Sequence, residues 1–194
     1  MSLFTRKGDD GKTGTFGCDQ RISKGGAVAG SLGSLDEINS FLGLVKVKSK
    51  STGVELKIFD EDFSKIIDDI QQNLFIIQSE VAGSNMTIAE EKLKICEDYI
   101  NEGEKILPPI KTFFVSGGTE LSSLYDISRT LARKAEREVV SVVEQSILMS
   151  ENNITVVVGK NSLAYLNRLS SLLYVMARLS NHFMGILEDA PSYK

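Results

Sequence analysis

Apolar residues recur along most of this chain at steps of three and four, the period of a helix with one buried face. Leu32, Leu35, Asn39, Leu42 and Val45 carry the pattern through a first helix over about 29–48. Residues 49–57 read as a polar connection. Phe59, Phe63, Ile66, Ile70, Leu74, Ile77 and Val81 then form a heptad seam, expected of a bundle helix over 59–84 that Gly83 and Ser84 end. Thr87 and Glu90 have the spacing of a capping box and open a third helix over 88–106, which Pro108 and Pro109 stop. An apolar-then-glycine connection at 110–120 leads into a long helix over 119–149, with Leu124, Ile127, Leu131, Ala135, Val139 and Val142 on one side. The last helix, over 160–188, turns Leu166, Leu169, Leu173, Val175 and Ala177 inward. The β-prone stretch at 154–159 has no evident partner strand and reads as a short extended segment. Each apolar stripe needs another helix to cover it. The pattern therefore predicts an all-α, five-helix antiparallel bundle over 29–188, in a single domain spanning 1–194.

The first 28 residues do not follow that period. Gly8, Gly11, Gly14, Gly17, Gly25 and Gly26 alternate with charges, which predicts an irregular arm rather than a helix. Composition narrows the class of protein. Apolar residues are 42% of the 194, charged residues 25%, and the net charge is −4, so no basic excess points to nucleic acid. No apolar run is long enough to cross a membrane, and charge arrives by Arg6, which does not suit a secretory leader. The expected location is the cytoplasm. Cys18 and Cys96 read as free thiols, and His182 is the only histidine. A histidine-based triad or a metal-ligand cluster is therefore not expected.

Several groups could carry chemistry. In the arm, Thr5, Arg6, Lys7, Lys12 and Thr13 combine hydroxyls, positive charge and exposed backbone amides, which suits a polyphosphate. Gly11-Lys12-Thr13 is not a P-loop, because Arg6 stands where that motif needs glycine. Composition alone fits a solvated basic turn at least as well. Asp9 and Asp10 either balance the lysines or hold magnesium through water. On the long helix, Arg129, Arg133 and Arg137 line up at steps of four, with Glu136 beside them. They form either a solvated face with intrahelical ion pairs or an anion-binding stripe. Asp36 is either plain surface or a partner for one of these arginines. Asn39 is a polar group on an apolar stripe and needs a partner. Asn167 and Arg168, among leucines, and Phe113-Phe114, before Gly117-Gly118, read equally as packing or as ligand contacts.

Four blocks in order resemble the PduO-type ATP:cob(I)alamin adenosyltransferases. They are TRKGDDGKTGTFG at 5–17 with RISK at 21–24, LGSLDEINSFLG at 32–43, FVSGGTELSSLYDISRTLARKAERE at 114–138, and YLNRLSSLLYVMAR at 165–178. The resemblance implies a five-helix homotrimer that moves the 5′-deoxyadenosyl group of ATP onto cob(I)alamin and releases tripolyphosphate at sites between subunits. It implies that ATP, with magnesium, is held by Thr5, Arg6, Lys7, Gly8, Asp9, Gly11, Thr13, Gly14 and Lys24 of one subunit. Arg133, Glu136, Arg137 and Asn167 of a neighbour complete that site. It pairs Arg129 with Asp36 across the interface, and it sets Phe113 against the lower face of the corrin, where it excludes the axial base. Phe114 is the other ring beside that place. The implied partners are a flavin-type reductase and a B12-dependent enzyme. Two positions depart from the family's pattern: Ser116 stands where a proline is common, and Asp126 where a histidine is common. A non-catalytic ATP and cobalamin chaperone or sensor of the same fold is the alternative reading, and a purely structural bundle with a basic arm is the remaining one.

Overall fold

A computed structural model of the chain describes residues 4–15, 18–148 and 158–193. Two short strands, β1 (Lys12–Thr15) and β2 (Cys18–Ser23), precede α1 (Ala27–Lys50). A second pair, β3 (Lys57–Ile58) and β4 (Glu61–Asp62), leads into α2 (Phe63–Val81). Then come α3 (Glu90–Ile106), α4 (Glu120–Leu148) and α5 (Lys160–Phe183). The five expected helices are all present, and one continuous apolar core runs between them.

The helices alternate in direction along the chain. Glu37 meets Lys134 and Lys48 meets Glu120, so α1 and α4 are antiparallel. Asn167 reaches Glu136, and Asn181 reaches Thr119, so α4 and α5 are antiparallel as well. The contact between α3 and α5 is the exception. Arg168 meets Glu97, and ten residues further along α5 Arg178 meets Pro108, just past the end of α3, so these two run parallel. Strict alternation makes every odd helix point the same way, and α3 and α5 are neighbours. They approach closely at Gly103, where a Cβ would lie 2.3 Å from a Val175 methyl. Only glycine fits that crossing.

The α2 seam packs as predicted from Phe63 onward, with Ile66, Ile70, Leu74, Ile77 and Val81 buried. Phe59 does not belong to it. It sits at φ 54° in the turn between β3 and β4, is 56% exposed, and leans its ring on Tyr99. The expected inward face of α4 holds at Ala135, Val139 and Val142, and Leu124 and Leu131 pack partly on the core. In the first half of the helix Leu121, Tyr125 and Ala132 are the fully inward apolar residues and Ile127 is 47% exposed, so the stripe is displaced there.

Three local expectations change. The arm is a β-hairpin, not an irregular segment: Lys12 pairs with Ser23, Thr13 with Ile22 and Gly14 with Arg21. The capping box before α3 does not form. The cap position is Ala89, and the preceding turn is held from α5 instead, by Ser162 Oγ on the Ile88 amide and Asn161 Nδ2 on the Ile88 carbonyl. The last helix stops at Phe183, before a turn at Gly185 with φ 68°. The extended segment expected at 154–159 lies largely outside the described residues.

Candidate active site

Two concavities lie side by side along α4 and α5. The larger, about 390 Å³, is walled by the 110–117 connection and by α4 and α5, with Phe113, Asp126, Arg129, Arg133, Tyr174 and Arg178 among its lining residues. The smaller, about 280 Å³, is lined by Arg133, Glu136, Arg137, Val140, Ser141, Glu144 and Asn167. Arg133 lines both.

The helical repeat explains the grouping. Steps of four put Arg129, Arg133 and Arg137 on one face of α4. Glu136 makes no ion pair with them among the described residues; its carboxylate accepts a hydrogen bond from Asn167 Nδ2 at 3.0 Å. Lys134 is taken up by Glu37 of α1 at 2.6 Å. Arg133 and Arg137 are exposed and have no partner among the described residues. Arg129 is half-buried. Its Nε lies 3.6 Å from Asp126 and makes no hydrogen bond, and its guanidinium stands 5.7 Å from the Tyr174 ring centre. Burial pushes the Tyr174 hydroxyl above its ordinary pKa. Arg133 and Arg137 therefore present two guanidiniums without a carboxylate partner among the described residues, beside an Arg129 that Asp126 partly balances, a face suited to binding an anion.

The 107–119 connection shapes the larger cavity. Gly117 and Gly118 take φ 123° and 109°, conformations that other residues rarely adopt. The Gly117 amide donates to Asp126 Oδ2, and its carbonyl accepts from Asn181 Nδ2 and Ser122 Oγ. The Thr119 amide donates to Asn181 Oδ1. These bonds fix the turn that Ser116 leaves less rigid than a proline would. The two adjacent rings part company. Phe114 lies over the Arg178 guanidinium at 5.0 Å, whereas Phe113 is 79% exposed at the cavity. Phe113 is thus the ring free to meet a ligand.

The arm is held by its own hydrogen bonds. Arg21 donates to the carbonyls of Lys7 and Lys12 and faces Asp10 at 3.6 Å. Lys24 Nζ donates to the Gly8 carbonyl at 2.8 Å, and a side chain at Gly8 would collide with it. Asp10 caps the Lys12 amide. Arg6, Lys7 and Asp9 remain exposed. No described arm residue lines either concavity. The predicted site residues therefore fall into two groups, the arm and the α4–α5 wall, which a single chain does not bring together. Asp36 is exposed on α1 and makes no ion pair among the described residues, so it does not reach Arg129 of its own chain.

The profile of the family described as Cobalamin adenosyltransferase matches residues 3–180, nearly the whole chain. The chain belongs to the cobalamin adenosyltransferase family. It is 34% identical to the corrinoid adenosyltransferase of Bacillus subtilis over 96% of this chain and 90% of that one. It is 31% identical to the corrinoid adenosyltransferase PduO of Citrobacter freundii over 94% of this chain, and spans about half, 50%, of that longer relative. Its fold superposes with a TM-score of 0.83 and 25% identity on a variant PduO-type ATP:corrinoid adenosyltransferase from Lactobacillus reuteri, solved with cobalamin and ATP, covering 99% and 97% of the two chains.

Within this family's frame, the sequence reading missed a set of supporting residues. Arg21, Arg178, Asn181 and Glu188 hold the arm and the cavity loop; Arg21 and Arg178 lie within the matched blocks but drew no role there, and Asn181 and Glu188 lie outside them. Arg178 and Asn181 are buried polar residues near the end of an apolar helix, and that mismatch is the signal that could have found them.

Proposed function

We infer that this protein transfers the 5′-deoxyadenosyl group of ATP onto cob(I)alamin, giving adenosylcobalamin, at sites built between subunits of a homotrimer. The observation that carries the shared site is the split described above. Arg133 stands on the wall common to both concavities, while the exposed arm lines neither of them. A polyphosphate on the Glu136–Asn167 side would place Arg133 between its nucleotide and a corrin in the larger cavity. The arm of a neighbouring subunit would close over the phosphates with Thr5, Arg6, Lys7, Gly8, Gly11, Thr13, Gly14 and Lys24. Asp36 of that interface would take up Arg129, whose Nε is otherwise unbonded.

Cobalt(I) supplies the electron pair for the new Co–C5′ bond, the C5′–O bond breaks, and tripolyphosphate departs with the charge. No general base is needed. The protein aligns the two substrates and neutralises the leaving group with Arg133, Arg137 and the arm. Phe113 occupies the lower side of the corrin in place of the axial base, which eases reduction from cob(II)alamin by an external flavin-type reductase. Magnesium would come with ATP. Among the described residues no cluster of three or more ligating side chains exists, so Asp9 and phosphate oxygens are the donors it would find. No described helix is long and apolar enough to cross a membrane, and the proposed setting is the cytoplasm, with product handed to a B12-dependent enzyme.

A subunit-mixing experiment tests the shared site. Arg133→Ala and the arm double variant Arg6→Ala/Lys7→Ala should each be nearly inactive alone. Unfolded together and refolded, they should regain part of the activity, because some interfaces then join an intact arm to an intact wall. Mixed protein as inactive as either parent would place the whole site within one chain.

A further inference from the structure

We propose that Arg178 and Glu188 form a buried clamp that sets the direction in which Phe113 projects, making both of them positioning residues for the corrin step. The proposal rests on the cobalamin reading of the larger cavity.

The clamp joins three parts of the chain. Arg178 is on the inner face of α5, and only 5% of its side chain is exposed. Its Nε donates to both carboxylate oxygens of Glu188, at 3.1 and 2.8 Å. Its Nη2 donates to the Pro108 carbonyl at 3.2 Å, where the cavity connection begins. The Phe114 ring lies over the same guanidinium, at 5.0 Å. One residue beyond Glu188, the Asp189 carbonyl accepts the Val115 amide at 2.8 Å. A charge so deeply buried is costly to leave unpaired, and here every bond it makes runs to the cavity loop or to the segment that braces it.

The consequence for Phe113 follows from chain geometry. Phe114 is drawn in against Arg178, and Val115 is tied at its amide to Asp189. Exposure alternates accordingly: Phe113 and Val115 are 79% and 56% exposed, and Phe114 between them is partly buried, so the anchoring of Phe114 and Val115 leaves Phe113 facing outward. None of the clamp atoms touches Phe113 itself. If Glu188 lost its charge, Arg178 would keep at most a neutral acceptor there beside the Pro108 carbonyl and the Phe114 ring, and the pull on Phe114 would slacken.

The variant that tests this is Glu188→Gln, which keeps size and leaves Arg178 in place. Deuterium uptake at the amides of 111–117 should rise relative to unmutated protein. ATP affinity should stay within about twofold, while turnover with cob(II)alamin under reducing conditions should fall by about tenfold or more, as a misplaced positioning group would cause. The share of cob(II)alamin lacking its axial base, read by electron paramagnetic resonance with ATP present, should fall in parallel. In a Phe113→Ala background the same change should add less than about twofold, because both act through one ring. Unchanged uptake at 111–117 would overturn the clamp, as would a full, independent loss in the Phe113→Ala background. Failure of the unmutated protein to bind cob(II)alamin would instead overturn the functional reading, and the exchange measurement would still decide whether Glu188 holds the loop.

Discussion

Arg133 has two cavities to serve and no acid to hold it, which separates it from the other charges on α4. A preorganised donor of this kind stabilises developing charge most in the transition state. Arg133→Ala should therefore lower kcat by about 10²–10³-fold, with Arg133→Lys recovering only part, since an ammonium lacks the planar fork. Steady-state kinetics with saturating ATP checks both, and an Ala variant with full turnover would remove the residue from the site. Phe113→Ala should spare ATP affinity and abolish the base-free form of bound cob(II)alamin. Loss of ATP affinity instead would move that ring to the nucleotide. Cys96 is a different case. Burial pushes its thiol from 9.0 up to about 12. The folded chain then keeps a proton that the unfolded chain releases above pH 9. This contribution is absent below that value and lowers stability as pH rises from about 9 toward 12, by up to ~1.4 kcal/mol per pH unit. In a Cys18→Ser background, alkaline denaturant titrations should show that slope, and Cys96→Ala should flatten it. The arginine stripe and the glycine arm were legible in the sequence because spacing and composition mark them. Arg178, Asn181 and Glu188 were not, because their meaning lies in contacts between α5, the tail and the cavity loop.

At the level of elements, burial pattern decided what could be read. The α2 seam is long and uninterrupted, so its existence and inward face followed directly from residues 63–81. In the first half of α4 a tyrosine, an alanine and serines share the inward positions with Leu121, while Leu124 and Leu131 are only partly buried and Ile127 is exposed. Size misled the reading there. The arm hairpin was missed because its glycines suggest turns, whereas its pairing rests on backbone hydrogen bonds and on Arg21. The parallel contact of α3 and α5 depends on one missing side chain. Gly103→Ala would gain up to about 1 kcal/mol of helix propensity but meet Val175 at 2.3 Å, and overpacking of that kind costs about 1–3 kcal/mol. The net effect should be a lower thermal midpoint, partly restored by Val175→Ala. A Gly103→Ala protein at least as stable as the parent would show that the helices can part at no cost.

Among the described residues the arm of one chain does not reach the α4–α5 groove, and the site we propose joins the arm of one subunit to the groove of another. On that proposal assembly is part of the chemistry. Asp36→Ala should weaken the interface that we assign to Arg129, so sedimentation velocity at low protein concentration should show a shift from trimer toward smaller species, with activity lost in step. A variant that sediments as the parent does and turns over normally would free Asp36 from that role. The family frame and the order of the helices were readable along nearly the full chain, whereas the sharing of a site between subunits that we propose is written in no single stretch of sequence. The measurement closest to the central claim is made anaerobically, with purified protein, ATP, magnesium and chemically reduced cob(I)alamin. Corrin absorbance and tripolyphosphate are followed together. The account predicts one adenosylcobalamin for each tripolyphosphate released, at a rate that Arg133→Ala abolishes. Tight binding of ATP and corrin with no adenosylcobalamin formed would contradict it, and would make the protein a carrier or sensor built on the same fold.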